Sequence, residues 1–258
     1  MASYESFAAV YDLFMDGAPY DAWLSNIREI LSGEGIQSGI GLDLGCGTGQ
    51  MTRRLAAAGF DMIGADASIE MLNVAREKSG EDILYLCQDM RSFELYGTVA
   101  FAVSVCDSMN YLTSEEELVQ VFSLVNNYLD PEGLFLFDLN TLRKYREVLS
   151  DRSFGESREE GSFIWENTFD EETGINEYDL TLFVREKGDL FRRYEELHRE
   201  RAYSVETVKK CLAAAGMTFV SVYDITGQDY DPSATKREYT EAAERVLFVA
   251  REKGKAKK

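Results

Sequence analysis

At 258 residues, 45% hydrophobic and 12% aromatic, the chain carries enough apolar material for a sizeable core, which argues against general disorder. Its formal net charge of −19 would repel a phosphate backbone over most of the surface, which argues against nucleic acid as a partner. Cys46, Cys87, Cys106 and Cys211 form no metal-ligand or redox spacing, the first residues lack a basic-then-apolar leader, and no apolar run reaches the ~20 residues of a membrane span; a cytoplasmic protein without a metal site, holding reduced thiols that are buried beside apolar runs, is expected.

Residues 4–31 place Phe7, Val10, Tyr11 and Phe14, then Trp23, Ile27, Ile30 and Leu31, at helical spacing around a break at Gly17. This predicts an N-terminal helical arm over 1–35. Its aromatic residues either pin the arm to the rest of the chain or close over a pocket through Tyr11, Tyr20 or Trp23.

Ile40 to Leu44 is an apolar run ending in Gly45-Cys46-Gly47-Thr48-Gly49, followed by a helix-forming stretch from Met51 to Ala58. Strand, tight turn and helix are the natural reading, because glycine alone accepts positive φ without a Cβ clash. Such a turn also aims backbone N–H groups above the carboxyl end of the strand, where ligands of open α/β sheets bind. A nucleoside is the expected ligand. A dinucleotide fingerprint would need its third glycine at position 50, which is Gln50.

Met62 to Asp66 reads as a second strand ending in an acid, 23 residues after Asp43, with Ser68 as cap of a helix through Lys78. A carboxylate at that strand tip can accept both hydroxyl hydrogens of a ribose. Ile83 to Cys87 is a third strand, then Gln88-Asp89-Met90; Ala100 to Cys106 is a fourth, then Asp107 to Tyr111. Glu115 to Tyr128 is a helix, Asp130 to Gly133 a turn and Leu134 to Asp138 a fifth strand. The β-α alternation predicts a parallel sheet covered on both faces.

After Thr141 the texture changes. Leu142 to Val148 is a short helix, Ser150 to Gly161 a charged loop, and three alternating segments between 163 and 203 form an antiparallel meander. Val205 to Ala214 restores a helix, and Phe219 to Ile225 and Val246 to Ala250 are closing strands around a long polar excursion with Tyr230, Pro232 and Tyr239. The basic tail from Arg251 is expected to fray.

Asp43-Leu44-Gly45-Cys46-Gly47-Thr48-Gly49, Asp66, Ser68 with Met71 and Ala75, Gln88-Asp89-Met90 and the end of the fourth strand together resemble the motif set of the class I S-adenosylmethionine-dependent methyltransferases, over roughly residues 36–140 and 204–250. The resemblance implies a doubly wound, mostly parallel seven-stranded α/β sheet, Rossmann-like, with its last strand antiparallel. It divides the chain into a cofactor-binding domain over 1–140 and 204–258 and an inserted antiparallel β lid over 141–203. Val10-Tyr11-Asp12-Leu13, the insertion and Glu195-Glu196-Leu197-His198-Arg199 are similar to small-molecule methyltransferases with a β-sheet lid, amino-sugar N-methyltransferases among them.

The implied cofactor is S-adenosylmethionine, with S-adenosylhomocysteine as product, and the implied reaction is in-line methyl displacement onto nitrogen or oxygen of a small molecule under the lid. Asp66 would hold the ribose, with Ala67 and Met71 beside it, and Asp89 and Met90 would meet the adenine. Gly45, Cys46, Gly47 and Cys106 would surround the amino-acid end. Asp43 would organise the turn or receive the ligand amine through water, and the Tyr11 ring suits a sulfonium. His198, the sole histidine, is a candidate base or a surface residue of a charged lid strand, with Tyr11, Asp107 and Tyr111 as further catalytic candidates. A nicotinamide-dependent oxidoreductase and a non-catalytic cofactor-binding sensor are the alternatives. The sequence leaves open whether the chain forms a homodimer.

Overall fold

The computed structural model describes residues 8–227 and 236–256. Tyr4 and Phe7 of the arm, Tyr230 and Pro232 of the excursion, and Lys257 and Lys258 of the tail lie outside them. Two helices come first, α1 (Ala8–Phe14) and α2 (Tyr20–Gly33), separated at Gly17. The apolar run Ile40–Leu44 (β1) is buried at every position after Ile40. It leads through the glycine turn into α3 (Gln50–Ala57), β2 (Asp61–Asp66), α4 (Ile69–Lys78), β3 (Leu84–Cys87), β4 (Val99–Ser104), α5 (Glu115–Tyr128) and β5 (Leu129–Asn140). The helix starts follow side-chain caps: Ser68 accepts the Met71 N–H at 3.2 Å and Ser114 the Glu117 N–H at 3.1 Å. Glu115 to Glu117 in the first turn of α5 also complement its dipole.

Asp130 to Gly133, expected as a turn between α5 and β5, lies inside β5. Pairing with β4 passes from Val99↔Leu129 to Phe101↔Leu134, so the intervening residues bulge out, with Glu132 at φ 66°. The turn signature marks this bulge.

Lys144–Leu149 is a π-helical turn in place of the expected short helix. The charged stretch expected as a loop contains a strand, β6 (Ser153–Ser157), so the antiparallel sheet has four strands, with β7 (Gly161–Asp170), β8 (Ile175–Lys187) and β9 (Leu190–Arg201), in order β6-β7-β8-β9. Its cross-strand rows Trp165↔Leu180↔Glu196 and Phe163↔Leu182↔Tyr194 share one face.

The chain returns to the large sheet through α6 (Val205–Ala214), β10 (Thr218–Asp224), β11 (Arg237–Glu238) and β12 (Arg245–Arg251). The order across that sheet is β11-β10-β12-β5-β4-β1-β2-β3, with β12 antiparallel to both neighbours. It has eight strands where seven were expected, because the two-residue β11 pairs with the edge of β10. β5 shows how both faces are covered: Phe135, Phe137 and Leu139 join a core with α5 and α6, while Leu134 and Leu136 join another with α2 and α3. The fold is a doubly wound, mostly parallel α/β sheet with a separate antiparallel sheet. Among the described residues no helix is long and apolar enough to cross a membrane.

Candidate cofactor site

A cavity of about 390 Å³ opens at the carboxyl ends of β1, β2 and β4, within the range of small-ligand pockets. Tyr11, Tyr20, Asp43, Gly45, Cys46 and Gly47 line one part of it, and Asp66, Ala67, Met71, Asp89, Met90 and Cys106 another. Three other candidates, Trp23, Asp107 and His198, are not among its lining residues.

The turn works differently from the expectation that its amides face a ligand. The N–H groups of Gly45 and Cys46 both donate to the carbonyl of Ala65, at 2.8 and 3.1 Å, and that of Gly49 donates to Cys46 O at 2.9 Å. Gly47 N–H donates to Asp66 Oδ2 at 2.8 Å. These four amides are spent inside the protein, so they form no nest for a phosphate. Glycine serves geometry here. Gly49 has φ +76° and a Cβ there would meet the Tyr85 hydroxyl at 2.5 Å, whereas Gly47, at φ +52°, faces open space.

Asp66 ties the turn to α4, since its other oxygen accepts the Ser68 N–H at 2.8 Å. Burial raises its carboxyl above the usual range. Asp43, at the base, is pushed up to about 7 by burial, with the Asp66 charge adding to the effect and the Thr52 hydroxyl, 2.6 Å away, opposing it. Asp89 is held low by its bonds to Arg91, whose guanidinium reaches both of its oxygens at 2.9 and 2.6 Å and continues to Glu117. Burial raises the thiols of Cys46 and Cys106, so neither is a thiolate nucleophile at neutral pH. All four cysteines are free; Cys87, expected buried, is exposed.

Cys106 and Asp107 both have left-handed backbones, at φ 65° and 56°, a conformation that costs non-glycine residues about 1–3 kcal/mol each. The buried Asp138 holds it, accepting the N–H of Cys106 at 3.2 Å and that of Asp107 at 2.7 Å. Arg245 completes the brace, 2.8 Å from Asp138 and 3.4 Å from Asp107, and Asn140 Nδ2 donates to Asp107 at 2.8 Å. Asp107 is thus engaged in the wall of the site. Trp23 lies behind that wall, 4% exposed, with the Arg245 guanidinium 5.3 Å above its ring.

Helix α1 joins this site to the second sheet. Asp12 accepts from Thr48 Oγ1 at 2.6 Å and pairs with Lys78 at 2.5 Å, and the Tyr11 hydroxyl lies 3.6 Å from Cys106 Sγ. From the same helix Val10 packs with Leu180 and Leu182, Phe14 meets Phe163 edge-on at 5.0 Å, and Leu13 O accepts from Arg158 at 2.5 Å. His198 corrects the surface reading. It is 1% exposed, stacked on Tyr178 at 4.9 Å, with Nδ1 3.0 Å from the hydroxyl of Tyr111, which does line the cavity.

Asp138, Asn140 and Arg245 escaped the sequence reading because their partners lie far away in the chain; the one available signal was an acid within the apolar run of β5.

A family model for a methyltransferase domain matches residues 42–133. A chain of Geobacillus sp. (strain WCH70) that carries a methyltransferase name without a stated acceptor is 37% identical over 253 residues, covering 96% of this chain and 99% of its own. The dTDP-3-amino-3,4,6-trideoxy-alpha-D-glucopyranose N,N-dimethyltransferase of Streptomyces venezuelae is 31% identical over 133 residues, covering 51% of this chain and 56% of its own. In three dimensions, an S-adenosylmethionine-dependent methyltransferase from Clostridium acetobutylicum ATCC 824 matches with a TM-score of 0.83 at 28% identity, over 98% of this chain and 100% of that one.

Proposed function

Since this chain belongs to the class I S-adenosylmethionine-dependent methyltransferases, we propose that it methylates a nitrogen or oxygen of a small molecule held between the cavity and the second sheet. The observation that carries the cofactor side is the chemistry of the cavity: four turn amides are spent internally while Asp43, Asp66 and Asp89 line the walls. With those amides spent and Arg91 of the lining already paired to Asp89, the cavity disfavours a pyrophosphate and leaves Asp66 to accept from ligand hydroxyls. The open space beside Gly47, a residue of the cavity lining, supports the fit. The partial likeness to an amino-sugar N,N-dimethyltransferase supports a small-molecule acceptor.

In this reading Asp66 keeps lone pairs for the ribose hydroxyls beyond those used by Gly47 and Ser68. Asp89 meets the adenine amine, Met90 packs on its ring, and Ala67 and Met71 flank the sugar. Gly45, Cys46, Gly47 and Cys106 surround the amino-acid end, with Asp43 beneath. The faces of Tyr11 and Tyr20 shield the reacting region from water, and the second sheet acts as a lid over the acceptor. When bound, the cofactor would supply a methyl group on a sulfonium, a leaving group that keeps the carbon–sulfur electron pair. The protein's part is alignment and exclusion of water.

Titration calorimetry with S-adenosylhomocysteine and with NAD tests the cofactor. The homologue binds and NAD does not, and Asp66→Asn weakens the homologue by about 10–100-fold through lost charge-assisted hydrogen bonds. Binding of NAD alone overturns the reading. Labelled S-adenosylmethionine with a metabolite extract yields a labelled small molecule.

A further inference from the structure

Tyr111 lines the cavity, and from its hydroxyl a chain of hydrogen bonds leads away from it under the second sheet. Its oxygen lies 2.8 Å from the Tyr178 hydroxyl and 3.0 Å from His198 Nδ1. Tyr178 donates to Glu200 Oε1 at 2.7 Å, and Tyr145 donates to Oε2 at 2.5 Å. Tyr145, Tyr178, His198 and Glu200 are all buried, and His198 Nε2 faces Glu196 at 3.2 Å.

Counting protons orients the chain. A phenol has one hydrogen to give. Tyr178 gives its hydrogen to Glu200, so in its bond with Tyr111 it accepts. Tyr111 has then given its own hydrogen, so in its bond with His198 it accepts from Nδ1–H. Every bond along the line from His198 Nδ1 through the two hydroxyls to Glu200 then has one donor and one acceptor while Glu200 is a carboxylate.

We propose that Tyr111, Tyr178 and Glu200 form a proton relay for the acceptor. The Tyr111 oxygen takes the proton that the methylated heteroatom sheds, the proton of Tyr111 passes to Tyr178, and that of Tyr178 passes to Glu200, which ends as a neutral acid. As each phenol proton departs, the electron pair it leaves takes the incoming one, so neither tyrosine changes charge. His198 is a positioning residue that holds the Tyr111 oxygen through Nδ1–H and stacks on Tyr178. The inference rests on the methyl-transfer reading above.

Glu200 suits the end of such a chain. Burial lifts its carboxyl to about 7, Asp107 pushes the same way, and Tyr145, Tyr178 and Lys144 oppose. These groups come from the loop after β4, the π-turn and β8, so the carboxyl takes up the relayed proton near neutrality and releases it to solvent between turnovers.

The single histidine makes the wire observable without an acceptor, because imidazole ¹⁵N spectra report one ring. In the wild type the Nδ1 signal follows the titration of Glu200 near neutral pH. Glu200→Gln removes that inflection, and so does Tyr178→Phe, which keeps both end groups and cuts only the link. An inflection that survives Tyr178→Phe overturns the relay. In a second arm, labelled methyl transfer into a metabolite extract is followed against pH. Tyr178→Phe lowers the rate about a hundredfold at neutral pH and the loss shrinks as pH rises, with affinity for S-adenosylhomocysteine unchanged. An unaltered rate and profile also overturn the relay. A wild type that methylates nothing in the extract counts against the methyl-transfer reading, while the spectra still decide the relay.

Discussion

Around β5 the large sheet buries Phe122, Phe135, Phe137 and Phe248 against one another, with Phe137 stacked between Phe135 at 4.7 Å and Phe248 at 5.1 Å. Under the second sheet, at comparable depth, lie Tyr145, Tyr178, His198 and Glu200. The first region is held by volume and close contact, which no pH change touches. The second is held by hydrogen bonds whose donors and acceptors change with protonation. The aromatic core is thus indifferent to pH, while the buried polar cluster under the second sheet is not.

The largest test of this contrast is Phe137→Ala. It removes a fully buried ring and costs about 3–5 kcal/mol, read as a drop in urea midpoint relative to wild type that is equal at pH 6 and pH 8. A pH-dependent loss would break the comparison. Tyr145→Phe keeps the ring and removes the donor to Glu200, costing about 1–3 kcal/mol. That loss is greater at pH 8, where Glu200 is ionised, than at pH 6; equal losses would place the carboxyl outside the titrating group.

The third test is at Asp43. Its carboxyl is raised from 3.8 to about 7 on folding, so the native state keeps a proton that the unfolded chain releases. Its stabilising share is complete below about pH 4 and is lost as pH rises through 7. Asp43→Asn flattens the fall in Tm across that window, and parallel wild-type and variant curves would remove Asp43 as its source.

Much of the scaffold could be read directly from the sequence because local signals agreed with one another. Ile40–Leu44 is an unbroken apolar run, and Ser68 caps α4 as its position suggested. β6 was hidden because Ser153–Ser157 is polar and mostly exposed, an edge strand whose pairing comes from β7. Cys87 was misjudged for a related reason, since β3 is the opposite edge of the large sheet. The glycine turn announced its shape but not the destination of its amides, which depends on Ala65 and Asp66 arriving alongside. His198 could not be placed at all from its charged neighbours. Alternation along β9 turns Arg199 outward and His198 inward, and its partner Tyr111 lies 87 residues earlier.

Helix α1 is described over the seven residues Ala8–Phe14, and helices shorter than about 12–15 residues are marginal alone in water. Its winding is therefore lent by its two neighbours, the glycine turn through Asp12 and the second sheet through Val10 and Phe14. One short helix thus bridges the glycine turn and the antiparallel sheet, with Tyr11 set between its two grips.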